Sequence, residues 1–104
     1  MLAELELIPL GRAGASVSAL LVNVARLIDE SGLDYRVGPM GTTVEGTWEQ
    51  VMALAKRCHD SVLHDVDRII TTIRIDDRKD QPGLGRITQK VASLEAKVGK
   101  TLCK

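Results

Sequence analysis

The chain is almost without aromatic side chains: it has no phenylalanine, a single tyrosine, Tyr35, and a single tryptophan, Trp48. Two rings cannot build the stacking platform of a single-strand nucleic-acid binder. It also lacks a charge of either sign. Fourteen basic and fourteen acidic residues cancel, which removes the long-range field that draws proteins to nucleic acid or to anionic membranes. Cysteine is scarce. Cys58 and Cys103 stand far apart without C-x-x-C spacing, so zinc and redox pairs have no support and no disulfide framework exists; both read as structural or incidental thiols. Long apolar runs are missing too. The N-terminal stretch carries Glu4 and Glu6 inside its hydrophobic segment, which fits neither a signal peptide nor a membrane span, and a cytoplasmic location is the default expectation.

What is present suits one globular domain over residues 1–104: 44% of residues are hydrophobic and 27% charged, ordinary values for a folded chain of this size. Residues 2–10, LAELELIPL, alternate, with Ala3, Leu5 and Leu7 opposed to Glu4, Glu6 and Ile8, the pattern of a half-polar strand. Ser16 is a plausible N-cap for a helix whose apolar stripe is Val17, Leu20, Leu21, Val24, Leu27 and Ile28, with Gly32 as its left-handed stop. Leu33–Val37 and Thr42–Gly46 read as two strands of a hairpin turned by Gly38, Pro39 and Gly41. Thr47 and Gln50 have the form of a capping box opening a helix with the core stripe Val51, Leu54, Ala55, Cys58 and Val62. Arg68–Asp76 alternates again as a fourth strand. A charged loop, DDRKDQPG, leads to a last helix from Gly83 to about Gly99 that carries Leu84, Ile87, Val91, Leu94 and Val98.

Strand, helix, strand, strand, helix, strand, and one added helix is the split βαβ order. It predicts an α+β, ferredoxin-like βαββαβ fold, a four-stranded antiparallel sheet with both main helices on one face. The other face would present Glu4, Glu6, Arg36, Thr43, Glu45, Thr72 and Arg74, with Ile8 and Ile70 among them. Such a surface is either solvated or a wet contact between two sheets, where a small polar ligand could sit. The last helix repeats apolar residues at intervals of three and four, a narrow seam that fits a second helix or the helix's own sheet. Glu4 and Glu6 are candidates to pair with Arg36 or Arg74, and Arg74 with Asp76.

Catalysis has little support. His59 and His64 are five residues apart, not the four that put two metal ligands on one helical face. No serine or cysteine has an identifiable histidine partner, and no metal or cofactor site is expected.

The strand ending in IPLG, the Ser16-Val17-Ser18 helix start, PMGTTVEG followed by a Trp48-led helix, and TTIRIDDRKD together resemble the small thiamine-binding protein family, over nearly the whole chain. The resemblance implies a ferredoxin-like fold, association through the sheets into a dimer of dimers (a homotetramer), and cytoplasmic, non-catalytic binding of thiamine or its hydroxymethylpyrimidine half. Thiamine offers an aminopyrimidine edge and a cationic thiazolium, both suited to a carboxylate. Glu45 is the first choice for that carboxylate, with Thr43 beside it. Trp48 and Tyr35 are the aromatic candidates for a cation–π or stacking wall. Ser18 is a helix-start residue first and a ligand donor second. Neutral overall charge and the lack of a phosphate loop speak against the diphosphate. The rival reading is an interaction module whose sheet and last helix serve assembly alone.

Overall fold

In the computed structural model the described residues are 1–11, 17–80, 83 and 85–104. The expected N-cap Ser16 and the apolar Leu84 lie outside them. The elements run β1 (Leu2–Leu10), α1 (Val17–Glu30), β2 (Asp34–Val37), β3 (Thr42–Glu45), α2 (Trp48–Leu63), β4 (Arg68–Asp76) and α3 (Arg86–Val98). They form one antiparallel sheet in the order β2-β3-β1-β4, the ferredoxin-like arrangement.

Alternation in β1 and β4 decides which side each residue faces. Ala3 pairs with Val44 and Ile75, and Leu5 with Ile73. These apolar partners meet Leu20, Val24 and Ile28 of α1 and Val51, Leu54, Ala55, Cys58 and Val62 of α2 in one core. The whole stripe expected for α2 is buried, with Val51 and Cys58 fully so; burial of each such aliphatic side chain contributes about 1.5–3 kcal/mol. On α1 the stripe is narrower than its sequence pattern. Val17 and Leu21 stay exposed, because the line through Leu20, Val24 and Ile28, flanked by half-buried Leu27, is the part that packs on the core.

Local signals account for the ends. Gly32 has a φ of +77° and closes α1, as expected. The capping box forms: Thr47 Oγ1 accepts from the Gln50 backbone N–H at 3.2 Å and Gln50 Oε1 accepts from the Thr47 N–H at 2.9 Å. Three boundaries are shorter than anticipated. β2 starts at Asp34, β3 ends at Glu45, and α3 begins at Arg86 rather than Gly83 because Gly85, with φ at 91°, holds a left-handed conformation that the helix cannot include.

The third helix crosses to the side of the sheet that α1 and α2 leave uncovered. Ile87 is buried there and Val91 is half-buried, while Leu94 and Val98 remain about half exposed. The apolar seam is therefore divided: its first half packs on the chain's own sheet, and its second half has no cover among the described residues.

Candidate functional site

Pairing across all four strands aligns Arg36, Thr43, Glu4 and Arg74 in a single row. All four point away from the α1–α2 core. The neighbouring row is Asp34, Glu45, Leu2 and Asp76, and α3 lies over its end. Between the helix and the first row is a groove of roughly 770 Å³. Its floor includes Glu4, Thr43, Arg36 and Arg74, and its apolar wall includes Ile87 and Val91.

Glu45 sits on the face that strand parity assigns to it, but its carboxylate is committed elsewhere. It is only 3% exposed. Its Oε2 accepts from the Arg86 N–H at 3.1 Å and its Oε1 from the Ile87 N–H at 3.2 Å. The first N–H groups of a helix have no partner inside it, and the residue at the cap position of α3, Gly85, has no side chain to offer. Glu45 supplies the missing acceptors from 41 residues away, at the end of the helix where the macrodipole favours negative charge.

Arg86 completes the anchorage. Its buried guanidinium donates to the Asp76 backbone carbonyl at 3.2 Å and to Asp76 Oδ2 at 2.9 Å. Lys90 reaches the same oxygen at 2.7 Å. The Lys90 hydrogen bond, aided by Arg86, holds the Asp76 carboxyl below the usual carboxylate range.

Two glycines of the PMGTTVEG segment also serve this region. A side chain at Gly41 would come within 3.0 Å of the Leu5 carbonyl and 3.3 Å of Glu4 Cγ; the missing Cβ lets the hairpin close onto β1 and leaves room for the Glu4 stem. Gly46 exchanges backbone hydrogen bonds with Met1, and a Cβ there would press on Gln50 Oε1 at 3.0 Å.

The five residues expected from sequence to form a site do not all converge. Thr43 lies on the groove floor, and Glu45 lies beneath α3. Tyr35 faces the other side of the sheet, packs against the core and donates its hydroxyl to Asp29 Oδ1 at 2.7 Å. That bond raises the phenol's pKa. Trp48 opens α2, 54% exposed, and is not among the residues lining the groove. Ser18 is exposed in the first turn of α1, which follows the Leu10 end of β1. Glu45 pairs with the opposite end of that strand, at Leu2.

Glu4 is the carboxylate that remains on the floor. It is half-buried and touches Arg74 Nη2 at 3.3 Å. The alternative pairing of Arg74 with Asp76 does not form, since Asp76 serves α3. His59 Nδ1 meets Thr71 Oγ1 at 2.6 Å, and His64 stands beside Asp65. Among the described residues no His, Cys, Asp and Glu cluster could hold a metal ion, and no helix is long and apolar enough to cross a membrane.

Fold and groove define a small α+β protein that offers a polar, carboxylate-bearing recess on one side of a ferredoxin-like sheet. Comparison with known proteins makes this specific: the profile of the family described as "Thiamine-binding protein" matches residues 3–95, and the chain belongs to that family. UPF0045 protein MJ1052 of Methanocaldococcus jannaschii is 37% identical over 81 residues, which cover 78% of this chain and 80% of that protein. A UPF0045 protein of Methanothermobacter thermautotrophicus is 33% identical, with 92% and 97% covered. The crystal structure of MJ1052 superposes with a TM-score of 0.79 at 34% identity, over 89% of this chain and 93% of that one. A Thermotoga maritima structure, provisionally described as a thiamine biosynthesis/salvage protein, shares the fold with a TM-score of 0.71 at 22% identity, over 86% and 95%. None of these relatives has a name that specifies a reaction.

Proposed function

We propose that this chain is a non-catalytic, cytoplasmic binding protein for thiamine or its hydroxymethylpyrimidine half, folded as one domain and working as a homo-oligomer, a dimer of dimers. The observation that carries the reading is the groove between α3 and the open sheet face, with Glu4 and Thr43 side by side on its floor. A carboxylate beside a hydroxyl complements the donor and acceptor edge of an aminopyrimidine, and the negative charge suits a thiazolium. Ile87 and Val91 supply the apolar wall that small-molecule sites usually have. In this proposal Thr43 keeps its ligand-facing role, Glu4 takes the one first given to Glu45, and Glu45 secures the roof.

Two features support assembly. Ile8 and Ile70 pair directly and are both more than 40% exposed on the open face, a contact surface for a second sheet. Among the described residues the nine-residue β4 is an edge strand, and a long strand edge is a template for strand addition. Antiparallel pairing of two copies about Thr72 would set Arg68 of each opposite Asp76 of the other.

Calorimetric titration with thiamine and with hydroxymethylpyrimidine tests the ligand. Saturable binding of either is expected, and no heat with either at millimolar concentration would remove the proposal.

The exposed Leu94 and Val98 favour a second reading, an interaction module in which α3 docks another helix. Light scattering of Leu94→Asp tests the seam. A smaller assembly would assign the seam to subunit contact, and an unchanged one would remove this second reading.

A further inference from the structure

The groove is not electrically neutral, although the chain is. Its carboxylates are each taken by a cation: Glu4 by Arg74 at 3.3 Å, Asp76 by Arg86 and Lys90, and Glu95 by Lys104 at 2.9 Å. Arg36 is left over. Its guanidinium donates to the Tyr35 carbonyl at 3.0 Å and reaches Thr88 Oγ1 only at 3.5 Å, and no carboxylate among the described residues lies within salt-bridge distance. The lining thus has a surplus of two positive charges. Thiamine, itself a cation, gains nothing from that surplus.

From this surplus we infer that the groove is built for a phosphorylated ligand, one that presents an aminopyrimidine or thiazolium to Glu4 and a phosphate to Arg36. The inference rests on the binding reading above and selects within it. Arg36 and Glu4 occupy the same row two strands apart, a separation of roughly 10 Å, which a two-ring molecule with a phosphorylated arm can bridge. A phosphate brings a charge of about −1.5 to −2 at neutral pH, enough to turn the ligand's net charge negative and match the lining. The guanidinium fork is the side chain best shaped to receive phosphate oxygens. The overall neutrality that spoke against the diphosphate does not hold inside the groove, because the balancing acidic residues lie outside it.

The test is calorimetry with thiamine and thiamine monophosphate, on wild type and on Arg36→Gln and Arg36→Lys. Arg36 is an exposed residue of the edge strand β2, and circular dichroism verifies that the variants fold. Wild type is expected to bind the monophosphate about fivefold more tightly than thiamine, the scale of an exposed charge pair. That ratio should collapse to about one in Arg36→Gln, recover in part in Arg36→Lys, and shrink as salt is raised. Equal affinities in wild type, or a preference for thiamine, would overturn this inference and leave the binding proposal standing. A preference that survives in Arg36→Gln would overturn the role of Arg36. If neither compound binds, the proposal and the inference fall together.

Discussion

Replacing Glu45 with glutamine keeps the shape of the side chain but takes away one of the two acceptors at the start of α3. Glutamine Oε1 can still receive one of the two backbone N–H groups now held at 3.1 and 3.2 Å. Its NH₂ must face the other, donor against donor. A buried N–H left without a partner costs about 1–3 kcal/mol, and loss of the negative charge at the helix N-terminus adds about 0.3–1 kcal/mol. Together these span about 1.3–4 kcal/mol, centred between about 2 and 3 kcal/mol, borne by the docking of α3 rather than by the α1–α2 core. The assay that reads docking is amide hydrogen exchange. The amides of Arg86, Ile87 and the following turn should exchange about 30- to 150-fold faster in Glu45→Gln than in wild type, since each 1.4 kcal/mol is a factor of ten. Cys58 and its neighbours in α2 should keep their protection. Exchange of the α3 amides within twofold of the wild-type rate would mean that Glu45 is not what holds the helix.

Two further outcomes follow from the same contacts. Asp76 is held below the usual carboxylate range by Lys90 and Arg86, whereas in the unfolded chain it titrates near 3.9. Its contribution to α3 docking is thus complete above about pH 4 and is lost as pH falls through the lower folded value. Exchange-derived stability of α3 should stay flat from pH 7 to 5 and drop below about pH 4, and Asp76→Asn should flatten the drop; a drop of the same size in that variant would contradict the assignment. Cysteine labelling should be just as selective. Burial pushes the Cys58 thiol pKa up, while Cys103 is exposed, so a thiol reagent should modify one cysteine per native chain and the second only in denaturant. Two fast-reacting thiols in the native protein would contradict the packing around Cys58.

Most of the fold could be read from period and cap chemistry. Alternation in the four strands placed Glu4, Thr43, Arg36 and Arg74 together on the uncovered face, and the Thr47–Gln50 box marked the start of α2 to the residue. The role of Glu45 was hidden because its partners are backbone N–H groups far along the chain, and a backbone donor has no residue-type signature. One signal was available: α3 starts behind Gly85 with no capping side chain, so an acceptor had to come from elsewhere. Glu4 went unranked for a related reason. Its value depends on α3 folding back over the open face, and the three-and-four spacing of Ile87, Val91, Leu94 and Val98 fits a partner helix as well as the chain's own sheet. Tyr35 drew attention because aromatics are scarce, although its parity already directed it to the core side, where it packs.

Whether the recess under α3 receives thiamine is decided by titrating ¹⁵N-labelled protein with thiamine and mapping the amide shifts. Saturable changes at Glu4, Thr43 and the Ile87–Val91 turn, with little movement around Tyr35 and Ser18, are predicted. No saturable shifts at millimolar ligand, or shifts gathered on the α1–α2 side of the sheet, would contradict binding there.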